Sequence, residues 1–141
     1  MKTPNVYLHF NGDCEAAFAF YREVFGGEFA EKMRFADAPE GAFGEMSDAD
    51  AQKIMHVALP LANGMLLGSD IPPGGEKESF GGYSVSLSPE SRAELDAIYA
   101  ALSAEGAKKV MEPEDAFWGD YFGMVIDKFG VRWMLNCESG R

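Results

Sequence analysis

The sequence predicts an α+β fold built from paired βαβββ modules whose mixed sheets curve into cups. Three observations carry that expectation. Short β-prone runs surround two amphipathic helical stripes, the order strand, helix, strand, strand, strand can be read twice, and a Pro/Gly-rich stretch separates the two readings. The modules fall at residues 1–70 and 81–141, with 71–80 as the linker, and together they make one structural domain. A chain of 141 residues leaves room for one such domain.

In chain order, Val6 to Phe10 is a β-prone run closed by Asn11-Gly12-Asp13. Asp13 reads as the N-cap of a helix, and Ala17, Phe18, Tyr21, Val24 and Phe25 follow at helical spacing until Gly26-Gly27 stops it. Glu28 to Phe35 alternates as a strand, and Ala36 to Lys53 lapses into an acidic, Gly/Pro-containing surface excursion. Ile54 to Leu59 and Met65 to Ser69 then read as a hairpin turned at Ala62-Asn63-Gly64. The second module opens with a strand over Tyr83 to Leu87. Ser88 is its expected helix cap, Pro89 the first helical residue, and Leu95, Ile98, Tyr99 and Leu102 the buried stripe. Strands at Lys109 to Glu112, Tyr121 to Ile126 and Val131 to Asn136 complete it, the last two joined through Asp127-Lys128-Phe129-Gly130.

With 47% hydrophobic residues and 13% aromatics the chain can build a core. Its net charge of −11 and lack of any basic run argue against nucleic acid, because phosphate affinity comes from Lys and Arg displacing counterions. The same charge disfavours anionic membranes, and no apolar span is long enough to cross a bilayer. The first twenty residues contain no secretory h-region, so a cytoplasmic protein is expected. In that compartment Cys14 and Cys137 read as free, buried thiols.

The usual chemical signatures are absent. There is no phosphate-cradling G-x-x-x-x-G-K-[ST], no G-x-G-x-x-G after a strand, no G-x-S-x-G elbow and no C-x-x-C. His9 and His56 are the only histidines, and each sits in an apolar strand run where structural satisfaction is the ordinary role. His56 and Asp70 are the two candidates for a general base, although Asp70 at a strand end reads first as a turn-capping carboxylate.

A family resemblance rests on Tyr7-Leu8-His9-Phe10-Asn11-Gly12-Asp13-Cys14-Glu15-Ala16-Ala17-Phe18, Phe20-Tyr21, Phe25-Gly26-Gly27-Glu28, Gly68-Ser69-Asp70, Trp118-Gly119-Asp120 and Asp127-Lys128-Phe129-Gly130-Val131-Arg132-Trp133. These segments resemble the PhnB-like branch of the vicinal oxygen chelate superfamily, which includes glyoxalase I and bleomycin-resistance proteins. The resemblance implies a homodimer of cupped modules. In metal-dependent members it implies a His, His, Glu set, whose positions align with Val6, Gly82 and Met134 here. None of the three side chains can ligate a divalent ion, so no metal and no cofactor are expected. Some relatives carry a methyltransferase label, but the chain lacks the Gly-rich turn of a doubly wound nucleotide site.

Strand parity then suggests a cup wall. Val6, Leu8 and Phe10 share one face of the first strand, Gly82, Ser84 and Ser86 one face of the fifth, and Arg132, Met134 and Asn136 one face of the last. The candidate ligand-binding residues are therefore Phe10, Ser84, Ser86, Met134 and Asn136, with Trp118 and Tyr121 as aromatic lid residues. The expected function is metal-free binding of a small molecule. The alternatives are a lyase or isomerase, or a resistance protein that sequesters an aromatic or cationic compound.

Overall fold

The computed structural model describes residues 1–139 and divides into two compact units, Met1–Ser79 and the residues from Phe80 onward. In the first unit the strands β1 (Val6–Phe10), β2 (Glu31–Arg34), β3 (Ile54–Leu61) and β4 (Gly64–Asp70) form a sheet of order β1-β4-β3-β2. β1 runs parallel to β4, and the other neighbours are antiparallel. The helix α1 (Cys14–Phe25) covers one face, packing on β3 and β4. It buries Cys14, Ala17, Phe18 and Tyr21 against Leu8, Phe10, Val57, Leu59 and Leu66. Where Phe18 meets the sheet the strand must carry a glycine, since a Cβ on Gly68 would lie 2.5 Å from the Phe18 ring.

The second unit repeats the plan. The strands β5 (Val85–Leu87), β6 (Lys108–Asp115), β7 (Tyr121–Ile126) and β8 (Arg132–Cys137) are ordered β5-β8-β7-β6, again with one parallel pair, β5 with β8. Its helix α3 (Arg92–Leu102) packs on β6, β7 and β8 through Leu95, Tyr99 and Leu102. Both units are thus βαβββ, as the sequence predicts, and strand limits differ from the expected ones by a few residues.

The excursion between β2 and β3 is more ordered than its composition suggests. A 3₁₀ turn covers Phe35–Asp37, and the short helix α2 (Asp48–Gln52) is capped by Ser47, whose hydroxyl accepts from Asp50 N at 3.1 Å. Phe43 packs edge-on against the buried Phe35 ring at 5.0 Å, which ties the loop down. The predicted linker is also held at one end, because Asn11 exchanges hydrogen bonds of 2.7 and 2.8 Å with the backbone of Glu78.

Two helix starts differ from expectation. Asp13 stands at the N-cap of α1 but its side chain makes no cap bond; the carboxylate of Asp70, on the adjacent strand β4, takes that role. The cap of α3 is Ser91, three residues beyond Ser88, and its hydroxyl accepts from Glu94 N while the Glu94 carboxylate accepts from Glu90 N.

One surface cluster joins α1 to β2. Glu15 is paired with Arg34 and with Lys32, the latter at 2.8 Å, and these cations hold its carboxyl down to about 2, the Arg34 hydrogen bond contributing most. A depressed acid stabilises the fold above its unfolded value of ~4.3, and that contribution is lost as pH falls through the folded value. Glu15→Gln should therefore cost about 0.5–1 kcal/mol at neutral pH, discounted for a half-exposed side chain, and flatten the stability profile between pH ~4.3 and ~2. Urea titrations at several pH values check this; parallel profiles for the two proteins would refute it.

Candidate functional site

Each sheet has one face under its helix and one face free of it, and alternation sorts the candidate residues between them. In the second unit, Val85, Trp133, Leu135 and Cys137 point under α3. Ser84, Ser86, Arg132, Met134 and Asn136 therefore share the helix-free face, as expected, together with Met124 and Phe122 of β7, which pair with Met134 and Asn136. Gly82, Tyr83, Ser84, Met124, Arg132 and Met134 line an open depression of about 390 Å³ on this face. Trp118 packs edge-on against Phe122 at 5.4 Å and is half exposed, which sets it beside the same surface. The Asn136 amide is tied to Asp120 at 3.0 Å. Arg132 makes no hydrogen bond or ion pair among the described residues, so its guanidinium donors remain available.

Two expected members of this set lie elsewhere. Tyr121 turns under α3, where its hydroxyl donates to Asp96 at 2.7 Å and the Arg92 guanidinium stacks on its ring at 4.6 Å. Its neighbour Phe122 takes the face expected of it. Phe10 is fully buried beneath α1 with its ring edge-on to Phe18, and Val6 has the same parity. The first strand was thus assigned the wrong face by one residue, and such a shift exchanges every side chain. Tyr7 and His9 occupy the helix-free face instead.

The same correction relocates the histidines. His56 on β3 also projects from the helix-free face of the first unit. Its Nδ1 lies 3.2 Å from the Tyr7 hydroxyl and its Nε2 lies 3.1 Å from Glu31 Oε2. The Tyr7 ring stacks near both His9 and His56, with centroid separations of 5.0 and 5.8 Å. Sequence reading missed Tyr7 and Glu31; the signal available was that the wholly apolar parity, Val6-Leu8-Phe10, belongs under the helix.

Asp70 stands outside any ligand's reach. It is 2% exposed, Oδ1 accepts from Gly12 N and Cys14 N at 2.9 and 3.0 Å, and Oδ2 accepts from Ile54 N at 2.9 Å. That is capping chemistry, with no lone pair aimed at solvent. Cys14 beside it is equally closed. Burial above all, then the carboxylates Asp70, Asp13 and Glu15, push its thiol far above the ordinary range, so it stays protonated and unreactive.

The residues do not fit the metal of the chelating relatives. Gly82 and Met134 carry no suitable donor, and Val6 turns toward the helix side. Among the described residues no group of three or more His, Cys, Asp or Glu stands where it could hold an ion.

Two βαβββ units, each with a helix-backed sheet and one helix-free face, define a protein of the vicinal oxygen chelate type. The family model for the Glyoxalase/Bleomycin resistance protein/Dioxygenase superfamily matches residues 4–135, and the chain belongs to that superfamily. Protein YjdN of Escherichia coli (strain K12) is 32% identical over 136 residues, spanning 92% of this chain and 91% of its own. The crystal structure of protein PA1353 from Pseudomonas aeruginosa is 37% identical, with a TM-score of 0.86 over 99% of both chains. A PhnB protein from Bacillus cereus, 22% identical, shares the fold with a TM-score of 0.77 over 96% of this chain and 99% of its own. Among the described residues no helix is long and apolar enough to cross a membrane.

Proposed function

We propose that the protein binds a small anionic molecule, without a chelated metal, in the depression on the second unit. The observation that carries this reading is that two positions aligned with metal ligands, Gly82 and Met134, line the depression with no donor between them, while Arg132 beside them offers an uncommitted guanidinium. Ser84 adds a hydroxyl, and Tyr83, Met124 and Met134 add soft apolar surface for the ligand's body.

Distance favours an anionic ligand. The net charge of −11 attracts cations only through a field screened within about 8 Å at physiological salt. A hydrogen-bonded contact to a guanidinium is worth roughly 1.5–3 kcal/mol at the point where binding occurs. The local contact outweighs the diffuse field, so we favour an anion over the cationic compound of a sequestering protein. We further propose that the protein acts as a cytoplasmic homodimer, a state supported by the resemblance to the PhnB-like branch and by the exposure of Phe117 and Trp118.

Thermal shift with matched anionic and cationic fragment libraries tests this. An anionic fragment at ten times its Kd should stabilise the protein by about 1.4 kcal/mol, a rise of a few degrees. Arg132→Ala should abolish that shift with little change in the melting temperature of the free protein. Stabilisation by cations alone, or a shift that survives in Arg132→Ala, would overturn the reading. A stoichiometric transition metal in protein purified without chelators would overturn its metal-free part.

A further inference from the structure

On the helix-free face of the first unit three side chains from three strands form a chain of contacts: Glu31 of β2, His56 of β3 and Tyr7 of β1. The Glu31 carboxylate beside Nε2 favours the ring proton there, which leaves the Nδ1 lone pair for the Tyr7 hydroxyl. In that tautomer the phenol donates its proton to His56, and its oxygen lone pairs stay open to a second donor. Tyr7 is 40% exposed, and Leu67, its register neighbour, with Ala58, the partner of Leu67 on β3, gives the surroundings an apolar character. A carboxylate that orients an imidazole, which in turn holds a hydroxyl, is the arrangement that activates hydroxyl nucleophiles and bases in general. The His9 ring lies beside that of Tyr7, tilted by 32° at a centroid separation of 5.0 Å, and makes no hydrogen bond to the phenol.

We propose that Tyr7 is a general base, served by the His56–Glu31 pair, for a small molecule bearing an acidic O–H or C–H. In the step, the ligand's proton passes to the Tyr7 oxygen as the phenol proton moves to His56 Nδ1. The products are the ligand anion and an imidazolium facing Glu31, and no further reactant is needed. This site belongs to the first unit alone and does not depend on anion binding in the second.

An arylsulfonyl fluoride tests the activation without knowledge of the natural ligand. The phenol oxygen attacks sulfur, the O–S bond forms as S–F breaks, fluoride leaves, and the phenol proton passes to His56. Tyr83, 43% exposed, is an internal reference of matched accessibility, with its phenol pKa raised by burial and by Asp127. Peptide mapping by mass spectrometry should find Tyr7 labelled about tenfold or more faster than Tyr83. His56→Gln should lower the Tyr7 rate about tenfold, while that of Tyr83 stays fixed. Glu31→Gln, at a more exposed position, should lower the Tyr7 rate in the same direction and serves if His56→Gln does not fold. His9→Phe, which keeps an aromatic neighbour and removes the titratable ring, should leave it unchanged. Equal labelling of Tyr7 and Tyr83 in the wild-type protein, or a Tyr7 rate indifferent to both His56→Gln and Glu31→Gln, would overturn the proposal.

Discussion

Asp70→Ala should destabilise the protein by about 3–5 kcal/mol, a large part of the roughly 5–15 kcal/mol that a domain has in total. The substitution strips partners from the N–H groups of Gly12, Cys14 and Ile54 at once. Each buried donor left unpaired costs about 1–3 kcal/mol. Gly12 is only part-buried and can turn to water, which holds the total below the sum of three full penalties. Asp70→Asn is the informative companion. If its oxygen takes the Oδ1 place it keeps the Gly12 and Cys14 bonds, while its amide nitrogen meets the Ile54 N–H donor to donor. About half of the loss should remain. Urea unfolding followed by circular dichroism would show the order wild type, Asn, Ala. A folded, equally stable Asp70→Ala protein would return Asp70 to the list of candidate bases.

The role of Asp70 also marks where sequence reading reaches its limit. Gly68-Ser69-Asp70 was visible as a motif, and its carboxylate was readable as a cap, but its donors lie 16, 56 and 58 residues away and are adjacent only once β1, β3 and β4 have paired. Local patterns fared better. The two βαβββ units, the stripes of α1 and α3 and the Tyr121–Ile126 strand were all legible, since each depends on periodicity within a few residues. Faces were less so. Val6-Tyr7-Leu8-His9-Phe10 is apolar or amphipathic at both parities, so the wholly apolar set Val6, Leu8 and Phe10 is only a weak mark of the side that meets the helix. In β8 the contrast is sharper, Trp133, Leu135 and Cys137 against Arg132, Met134 and Asn136, and there the expected face is the observed one. Tyr121 and Phe122 exchanged roles because a phenol can bury its ring and still satisfy its hydroxyl, here on Asp96, an option Phe lacks. The Ser91 cap was legible too, as Ser-x-x-Glu, but Ser88-Pro89 offered an earlier start.

Trp133→Ala should be the costliest substitution in the second unit, about 3–5 kcal/mol by the usual penalty for emptying a large aromatic site. Trp133 is fully buried beside Val85 and Val125, its register neighbours on β5 and β7. Its Nε1 donates to Asp127 Oδ2 at 2.9 Å, and the same carboxylate accepts from Phe129 N and Val131 N at 2.8 and 3.1 Å. The ring is therefore joined to the turn that carries the chain from β7 into β8, where Gly130 takes a φ of +93°. Trp133→Phe separates the two contributions: it keeps most of the apolar contact and loses one hydrogen bond to a charged group, which costs roughly 1.5–3 kcal/mol. Equal losses in the Phe and Ala variants would assign the effect to the hydrogen bond and not to packing. Trp133 points under α3, whereas Arg132 and Met134 on either side of it face the depression. Stability and binding should thus separate along a single strand: Trp133→Phe lowers the melting temperature of the free protein yet keeps the shift produced by an anionic fragment, and Arg132→Ala does the reverse.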